Sequence, residues 1–419
     1  MTQWRIAGLG VAVLAWSAAA CAPRAEVGAP LPTAAPADVG MSAAGLARVD
    51  SVIEAAIADS AAPGAALAVG RHGRLVRLRG YGRLDWAPDA GAVNDSSIYD
   101  MASLSKVVGL TTAMMILTEE GEVDLDARVA KYLPWFTGGG KESVTVRQLL
   151  LHRGGFPAWL PLWQQESGRA GYERLIAAIE LIYPPGDSTI YSDLGFITLG
   201  FVVEKVTGET LDAFLARRVF GPLGMGDTGY NPDPSLKPRI APTEVDTVFR
   251  HEHVHGVVHD ENAYALGGVS GHAGLFSSAR DLAIYAQMML NGGVMDWCPD
   301  GETNCPASAD PVRIVEASTI ARFTERQDTL SRRGLGWDRP NGTASSGDYL
   351  TYEAFGHTGF TGTSIWMDPG LDVFVVLLTN RVDPTRANQK HIPLRRAVHD
   401  AVAQAITDMR VRKRSSVAP

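Results

Sequence analysis

Near the start of the chain, Leu46, Val49, Ile53 and Ile57 recur at helical spacing on one face, with Ser42 placed to cap the helix they predict. Two β-like apolar runs follow, 65–69 and 75–78, separated by the turn residues Arg71, His72 and Gly73. From about residue 103 to 290 the pattern is mostly helical, broken by Gly- and Pro-bearing loops. Strand-like runs return at 334–337, 363–367 and, most strongly apolar, 373–378. A last amphipathic stretch, at about 394–409, carries Val398, Val402 and Ile406. Strands therefore lie at both ends of the chain and helices fill the middle. Hairpin-like succession favours an antiparallel sheet over alternating βαβ units. The expected fold is α+β: an antiparallel sheet made from both chain ends, flanked by terminal helices, with a mostly helical subdomain inserted. The expected division is one domain over 41–419, with an α/β part at 41–98 plus 312–419 and a helical part at 99–311. The segment 299–312 reads as loop, and there is no internal repeat.

Composition adds bounds. The 419 residues are 46% hydrophobic and 20% charged, ordinary for a globular chain. A net charge of −8 leaves no basic footprint for nucleic acid, and the short basic tail at 410–414 reads as solvated. Arg5 precedes an apolar run at 6–16, shorter than the roughly 20 residues that span a bilayer. With the small residues 17–20 ahead of Cys21, it reads as a removed export signal, residues 1–20. Cleavage there exposes Cys21. The segment resembles a bacterial lipoprotein signal, whose first mature residue is a lipid-modified Cys, except that Ala18 stands where Leu is usual. Ordinary cleavage after Ala20 exposes the same residue. The Pro/Ala-rich stretch 21–40 suits a stiff tether. The chain is thus expected to be exported, to the periplasm or outer surface, tethered to a membrane through Cys21. The two other cysteines, Cys298 and Cys305, read as a local disulfide in an oxidising compartment or, in the bland alternative, as free thiols. Two thiolates without a nearby His fall short of a zinc set.

Candidate chemistry begins at Ser103-Leu-Ser-Lys106, which opens a helical run and sets Ser and Lys on one face. A Ser hydroxyl is a poor nucleophile until a base removes its proton. A Lys held neutral by burial can be that base, and a helix N-terminus offers N–H groups to an attacked carbonyl. Alone, the motif is equally met by an N-cap Ser and a surface Lys. Tyr191-Ser192-Asp193 follows a turn-rich stretch, and His357-Thr358-Gly359 precedes a strand. The segments LLLHRGGFP at 149–157, VHDENA at 258–263, GGVSGHAGLFS at 267–277 and GLGW at 334–337 accompany them. In order and spacing, this set resembles the serine β-lactamase and penicillin-binding-protein superfamily, in its class C, DD-peptidase and family VIII esterase branch. The resemblance covers roughly 42–405.

The resemblance implies a β-lactamase/transpeptidase-like fold and roles for named residues. Ser103 would be acylated, Lys106 would be its partner, and Tyr191 a base or proton relay; which of the two takes the first proton stays open. The backbone N–H groups of Ser103 and Phe360 would form the oxyanion hole. Asp193, His357, Thr358 and Gly359 would contact substrate, and neither metal nor organic cofactor is required. Two positions depart from the common pattern. Asp193 stands where Asn is frequent and could instead cap the helix that follows it. His357 stands where many relatives have Lys, and a neutral imidazole attracts a carboxylate less than an ammonium does.

Other candidates have simpler readings. His251, His253, His255 and His259 look like a metal cluster but lack partner carboxylates in sequence. Residues 268–272 fall one short of the G-x-S-x-G elbow. Ser278 and Asp281 read as a capping box, and His152 as a structural histidine. The function expected is an exported serine hydrolase that forms an acyl-enzyme on Ser103 and cleaves D-Ala-D-Ala-type cell-wall peptides. A β-lactamase or a small-ester carboxylesterase would use the same residues, and a non-catalytic penicillin-binding receptor is the alternative of another class. The expected partner is a small-molecule or peptide substrate, bound by a monomer.

Overall fold

In the computed structural model of the chain, which describes residues 31–297, 311–328, 330–340 and 345–415, His72 and Gly73 both have positive φ, +50° and +73°. A two-residue hairpin turn that follows the right-handed twist of its strands needs that backbone. It joins β1 (Gly64–Arg71) to β2 (Arg74–Gly82). Three strands from the far end of the chain complete the sheet: β3 (Phe355–Thr358), β4 (Ser364–Asp368) and β5 (Val373–Thr379). Their order is β3-β4-β5-β1-β2, antiparallel throughout.

Alternation along β1 and β5 then divides two cores. Leu67, Val69, Val375 and Leu377 point to one side, and Ala66, Ala68, Phe374, Val376 and Leu378 to the other. Four helices matter for the site: α1 (Ala43–Ala58), α2 (Asp193–Thr207), α3 (Ala279–Leu290) and α4 (His391–Gln404). Leu46, Val49 and Ile53 of α1 and Val398 and Val402 of α4 cover the first side. Ser42 caps α1, its hydroxyl accepting from Gly45 N at 3.1 Å. On the second side lies α3, with Leu282 and Ala286 in the same core as Val107, Leu110 and Met114. All seven residues of β5 are buried because helices cover both faces, which explains the unbroken apolar run in the sequence.

Two expected elements differ. Residues 334–337 form no strand; Gly336 turns at φ +81° and only Asp338 bridges the sheet, at Gly356. The last helix ends at Gln404, and Ile406 instead makes an isolated bridge with Met41. A smaller sheet of Ile98–Asp100, Leu275–Ser278 and Gly229–Tyr230 lays residues 267–278 beside the segment leading to Ser103. Among the described residues no helix is long and apolar enough to cross a membrane. The expected export signal, Cys21, Cys298 and Cys305 lie outside the described residues.

Candidate active site

The turn that presents Ser103 is built on a buried carboxylate. Asp100 accepts from Ala102 N and from His259 N, each at 2.7 Å. Burial raises its pKa, and these two backbone donors offset only part of that. Ala102 is held at φ +45°, a conformation that costs a residue with a Cβ and persists only where its surroundings fix it. From this turn Ser103 faces a cavity of about 340 Å³, lined also by Trp159, Tyr191, Asp193, Asp260, His272 and Phe360.

Lys106 lies on a π-helical segment, Ser105–Thr111, rather than the α-helix expected; Thr111 Oγ1 donates to the Lys106 carbonyl at 2.7 Å. Such segments are frequent at functional sites. The Lys106 side chain is fully buried, and its Nζ donates to Ser103 Oγ at 3.0 Å and to the His272 carbonyl at 3.0 Å. It also meets Asp193 Oδ1 at 2.6 Å. Burial disfavours the ammonium, but the Asp193 charge and then Tyr191 outweigh it, so the pKa is raised. The lysine is therefore charged at rest, not the neutral base expected from burial.

Asp193 is the first residue of α2, after Ser192 at the N-cap. Its carboxylate spends itself on Lys106 instead of capping the helix. Behind it runs a chain of polar groups: Asp260 Oδ1 to His272 Nε2 at 2.8 Å, and His272 Nδ1 to Ser270 Oγ at 2.8 Å. His272 thereby holds Asp260 below the usual carboxylate range despite its burial. Ser270 itself is buried, so the near-elbow sequence presents no hydroxyl to the cavity.

Tyr191 is clamped by rings. His152 packs against it at a tilt of 36°, with centroids 4.4 Å apart, and stacks on Phe196 at 4.8 Å. His152 Nδ1 accepts from Ser192 N at 3.0 Å; burial, then Arg333 and Lys106, keep this imidazole neutral. Burial also raises the Tyr191 pKa, against the pull of Lys106, while Asp193 adds to the rise. Lys106 Nζ sits 4.9 Å from the Tyr191 ring centroid, and the Arg333 guanidinium carbon 5.4 Å from it.

The third motif closes against the nucleophile turn. Thr361 Oγ1 donates to the Asp100 carbonyl at 2.8 Å and Thr363 Oγ1 to that of Met101 at 3.1 Å. A Cβ on Gly359 would lie 2.4 Å from the Met101 carbonyl oxygen, so only glycine permits this approach. The Gly359 carbonyl accepts from buried Arg395. Because the peptide is planar and trans, the Phe360 N–H points the opposite way. Neither that N–H nor that of Ser103 has a partner among the described residues. The Phe360 ring stacks on His259 at 5.7 Å, under Arg381 at 4.4 Å.

His357, expected at the substrate, is instead 2% exposed and does not line the cavity. Burial pushes its pKa down to about 4, and Nδ1 pairs with the Thr358 carbonyl at 2.8 Å. The four histidines of 251–259 do not converge: His255 meets the carbonyls of Ile240 and Lys237, His259 meets Glu244, and His253 meets Asp383. Asp100, His152, His259, Arg333 and Arg395 carry the site's architecture without having been legible as site residues, apart from the family-like segments that contain His152 and His259.

Comparisons with known proteins agree with this geometry. The family model described as Beta-lactamase matches residues 49–400. A curated protein of Salmonella schwarzengrund (strain CVM19633), described as "Putative D-alanyl-D-alanine carboxypeptidase", is 34% identical over 402 residues, covering 87% of this chain and 89% of its own. Among solved structures, EstCE1, a hydrolase with promiscuous acyltransferase activity, superposes with a TM-score of 0.66 at 22% identity, covering 86% of this chain and 98% of its own. A penicillin-binding protein homologue from Caulobacter crescentus gives 0.65 at 22%, covering 86% and 99%.

Proposed function

This chain belongs to the β-lactamase family and is a serine hydrolase, and on that premise we propose that it is an exported DD-carboxypeptidase, acylated at Ser103. The observation that carries the reading is the Ser103 hydroxyl 3.0 Å from a buried, charged Lys106, beside two unpaired N–H groups. In this reaction Ser103 Oγ attacks the carbonyl between the last two residues of a peptide. Its proton passes through Lys106 or Tyr191 to the leaving amine. The oxyanion forms against the N–H groups of Ser103 and Phe360, where preorganised donors act without reorganising. Water then hydrolyses the acyl-enzyme.

A carboxypeptidase must also hold the free carboxylate of its substrate. His357 is neutral and supplies no charge. Arg333 supports the carboxypeptidase reading, since its guanidinium lies over the Tyr191 ring, between the Ser103 cavity that Tyr191 lines and a separate pocket of about 420 Å³ that Arg333 lines with Arg332 and Arg339. Among the described residues its one carboxylate contact is Asp338, at 2.5 Å. A guanidinium presents paired donors that match a carboxylate.

Release of D-Ala from a peptide ending in D-Ala-D-Ala, followed by mass spectrometry, tests the reading. Ser103→Ala should abolish release, and a penicillin should leave a lasting adduct on Ser103. Arg333→Ala should raise KM for the free-carboxylate peptide about 10- to 100-fold, the worth of a charged hydrogen bond, and leave an ester without that group unaffected. Ester turnover with no D-Ala release would make the chain an esterase. Rapid penicillin conversion without a lasting adduct would make it a β-lactamase.

A further inference from the structure

The histidine-rich run at 251–259 has one member whose carboxylate partners come from far away in the chain. His253 ends the second strand of a hairpin, Val245–Asp246 paired with Glu252–His253. Asp85 lies in the loop after β2, and Asp383 in the loop after β5. Ligand-capable atoms of the three side chains all lie within 4.8 Å of one another. His253 Nε2 is 3.2 Å from Asp383 Oδ1, and Nδ1 is 4.0 Å from Asp85 Oδ2. The Asp383 side chain is 1% exposed, and its second oxygen, Oδ2, has no hydrogen-bond donor among the described residues.

Among the described residues, neither Asp85 nor Asp383 pairs with a Lys or an Arg. Asp383 is out of water and Asp85 is only partly so, and two carboxylates this close repel unless a proton or a cation lies between them. We propose that Asp85, His253 and Asp383 form a binding site for a divalent transition-metal ion, separate from the Ser103 cleft. One imidazole and two carboxylates suit Zn²⁺ or Mn²⁺ and fall short of the six to eight oxygens Ca²⁺ takes. The three side chains border a cavity of about 480 Å³, with space for water to complete the coordination.

The backbone around the site is fixed independently of the ion. Trp86 Nε1 donates to the Asp383 carbonyl at 2.8 Å, and Val245 N to that of Pro384 at 3.0 Å. The same loop braces the cleft: Arg381 Nε donates to the Phe360 carbonyl at 2.8 Å, and Arg386 bonds Glu244 and Glu261 at 2.6 and 2.7 Å. An ion joining this loop to the hairpin and to the loop after β2 would stiffen the wall that carries Phe360. Its effect would be on stability first.

The test uses the whole purified protein, stripped with a chelator, and Zn²⁺ or Co²⁺ as probe. Calorimetric titration should show a Zn²⁺ equivalent that is lost in both His253→Ala and Asp85→Asn, with binding weakened by more than the roughly 10- to 100-fold that loss of an outer-shell group costs. Co²⁺ should give visible d–d bands in the wild type that these variants lose. At a hundredfold excess over Kd, Zn²⁺ should raise the melting temperature by about 3–5 °C in the wild type alone. His253 is 35% exposed, so its truncation spares the core; circular dichroism checks the fold of each variant. No bound equivalent and no thermal shift would overturn the proposal. So would binding that survives both variants, which would put the ion elsewhere, such as at Asp193, Asp260 and His272.

Discussion

Replacing Asp193 by Asn tests the electrostatics of the site with a change of one charge and almost no volume. Asp193 Oδ1 lies 2.6 Å from Lys106 Nζ. At an effective dielectric constant of 20, unit charges at that distance attract by about 6 kcal/mol. The carboxylate raises the pKa of Lys106, and its like charge also raises that of Tyr191 by disfavouring a phenolate. Removing it lowers both. Burial then acts on Lys106 unopposed by its strongest partner, and a free base forms at lower pH. Only about a quarter of the pair energy has to survive as a difference between protonation states to change the rate tenfold. The acid limb of kcat/KM for a D-Ala-D-Ala peptide should therefore move to lower pH in Asp193→Asn, with activity below the limb rising about tenfold or more. Circular dichroism and thermal unfolding verify that the variant folds. An unmoved limb would refute the reasoning. A uniform loss of kcat at every pH would refute it differently, by making the Asp193 carboxylate the proton acceptor.

Two further outcomes follow from the same structure. Gly359→Ala forces a Cβ to within 2.4 Å of the Met101 carbonyl and so displaces the Phe360 N–H; kcat should fall about 100-fold or more, the worth of one oxyanion donor, while a KM effect alone would argue against that placement. Asp281 is buried, with its pKa pushed up to about 7 by burial first. The folded state thus holds its proton more tightly than the unfolded chain. Its contribution is complete below about pH 4 and is lost as pH rises through 7, by up to about 4 kcal/mol. Asp281→Asn should flatten this decline, seen as a smaller drop in melting temperature between pH 5 and pH 8; an unchanged drop would show that other groups set it.

How much of this was legible in the sequence depended on how local the cause was. Two β-like apolar runs around the turn residues Arg71, His72 and Gly73 marked β1 and β2, and the helical face of Leu46, Val49 and Ile53 marked α1, because each needs only neighbours in the chain. Ser103, Lys106 and Tyr191 emerged from motif order. The run 334–337 misled because its apolar residues, Leu335 and Trp337, are buried without being extended, Gly336 turning the chain between them. Charge states were not legible at all. Lys106 is an ammonium because Asp193, 87 positions away, meets it, and burial alone predicts the reverse. Asp85, His253 and Asp383 illustrate the same limit: the histidine is visible, but its carboxylates come from two other loops.

The placement of positive charge shows what the change from Lys to His in the third motif leaves behind. His357 is buried and pushed down to about 4, so at neutral pH it brings no charge to the Tyr191 side of the cleft. Arg333 does, from a loop whose Asp338 bridges β3 at Gly356, beside His357, and its guanidinium carbon lies 5.4 Å from the Tyr191 ring centroid. It also lowers the His357 pKa, so the two cannot easily be charged together. Burial first, and then the Arg333 charge, keep the histidine neutral, whereas a guanidinium does not deprotonate in the working range. In the proposed reaction, carboxylate recognition then rests on a group that does not titrate, while proton transfer rests on Lys106 and Tyr191, which do. Binding and chemistry should separate in their pH dependence: KM for the peptide stays flat where kcat/KM still climbs its acid limb only if kcat carries that limb. Were KM to carry it instead, through a group titrating near neutrality, recognition would lie with a histidine after all, and Arg333 would be a structural partner of Asp338.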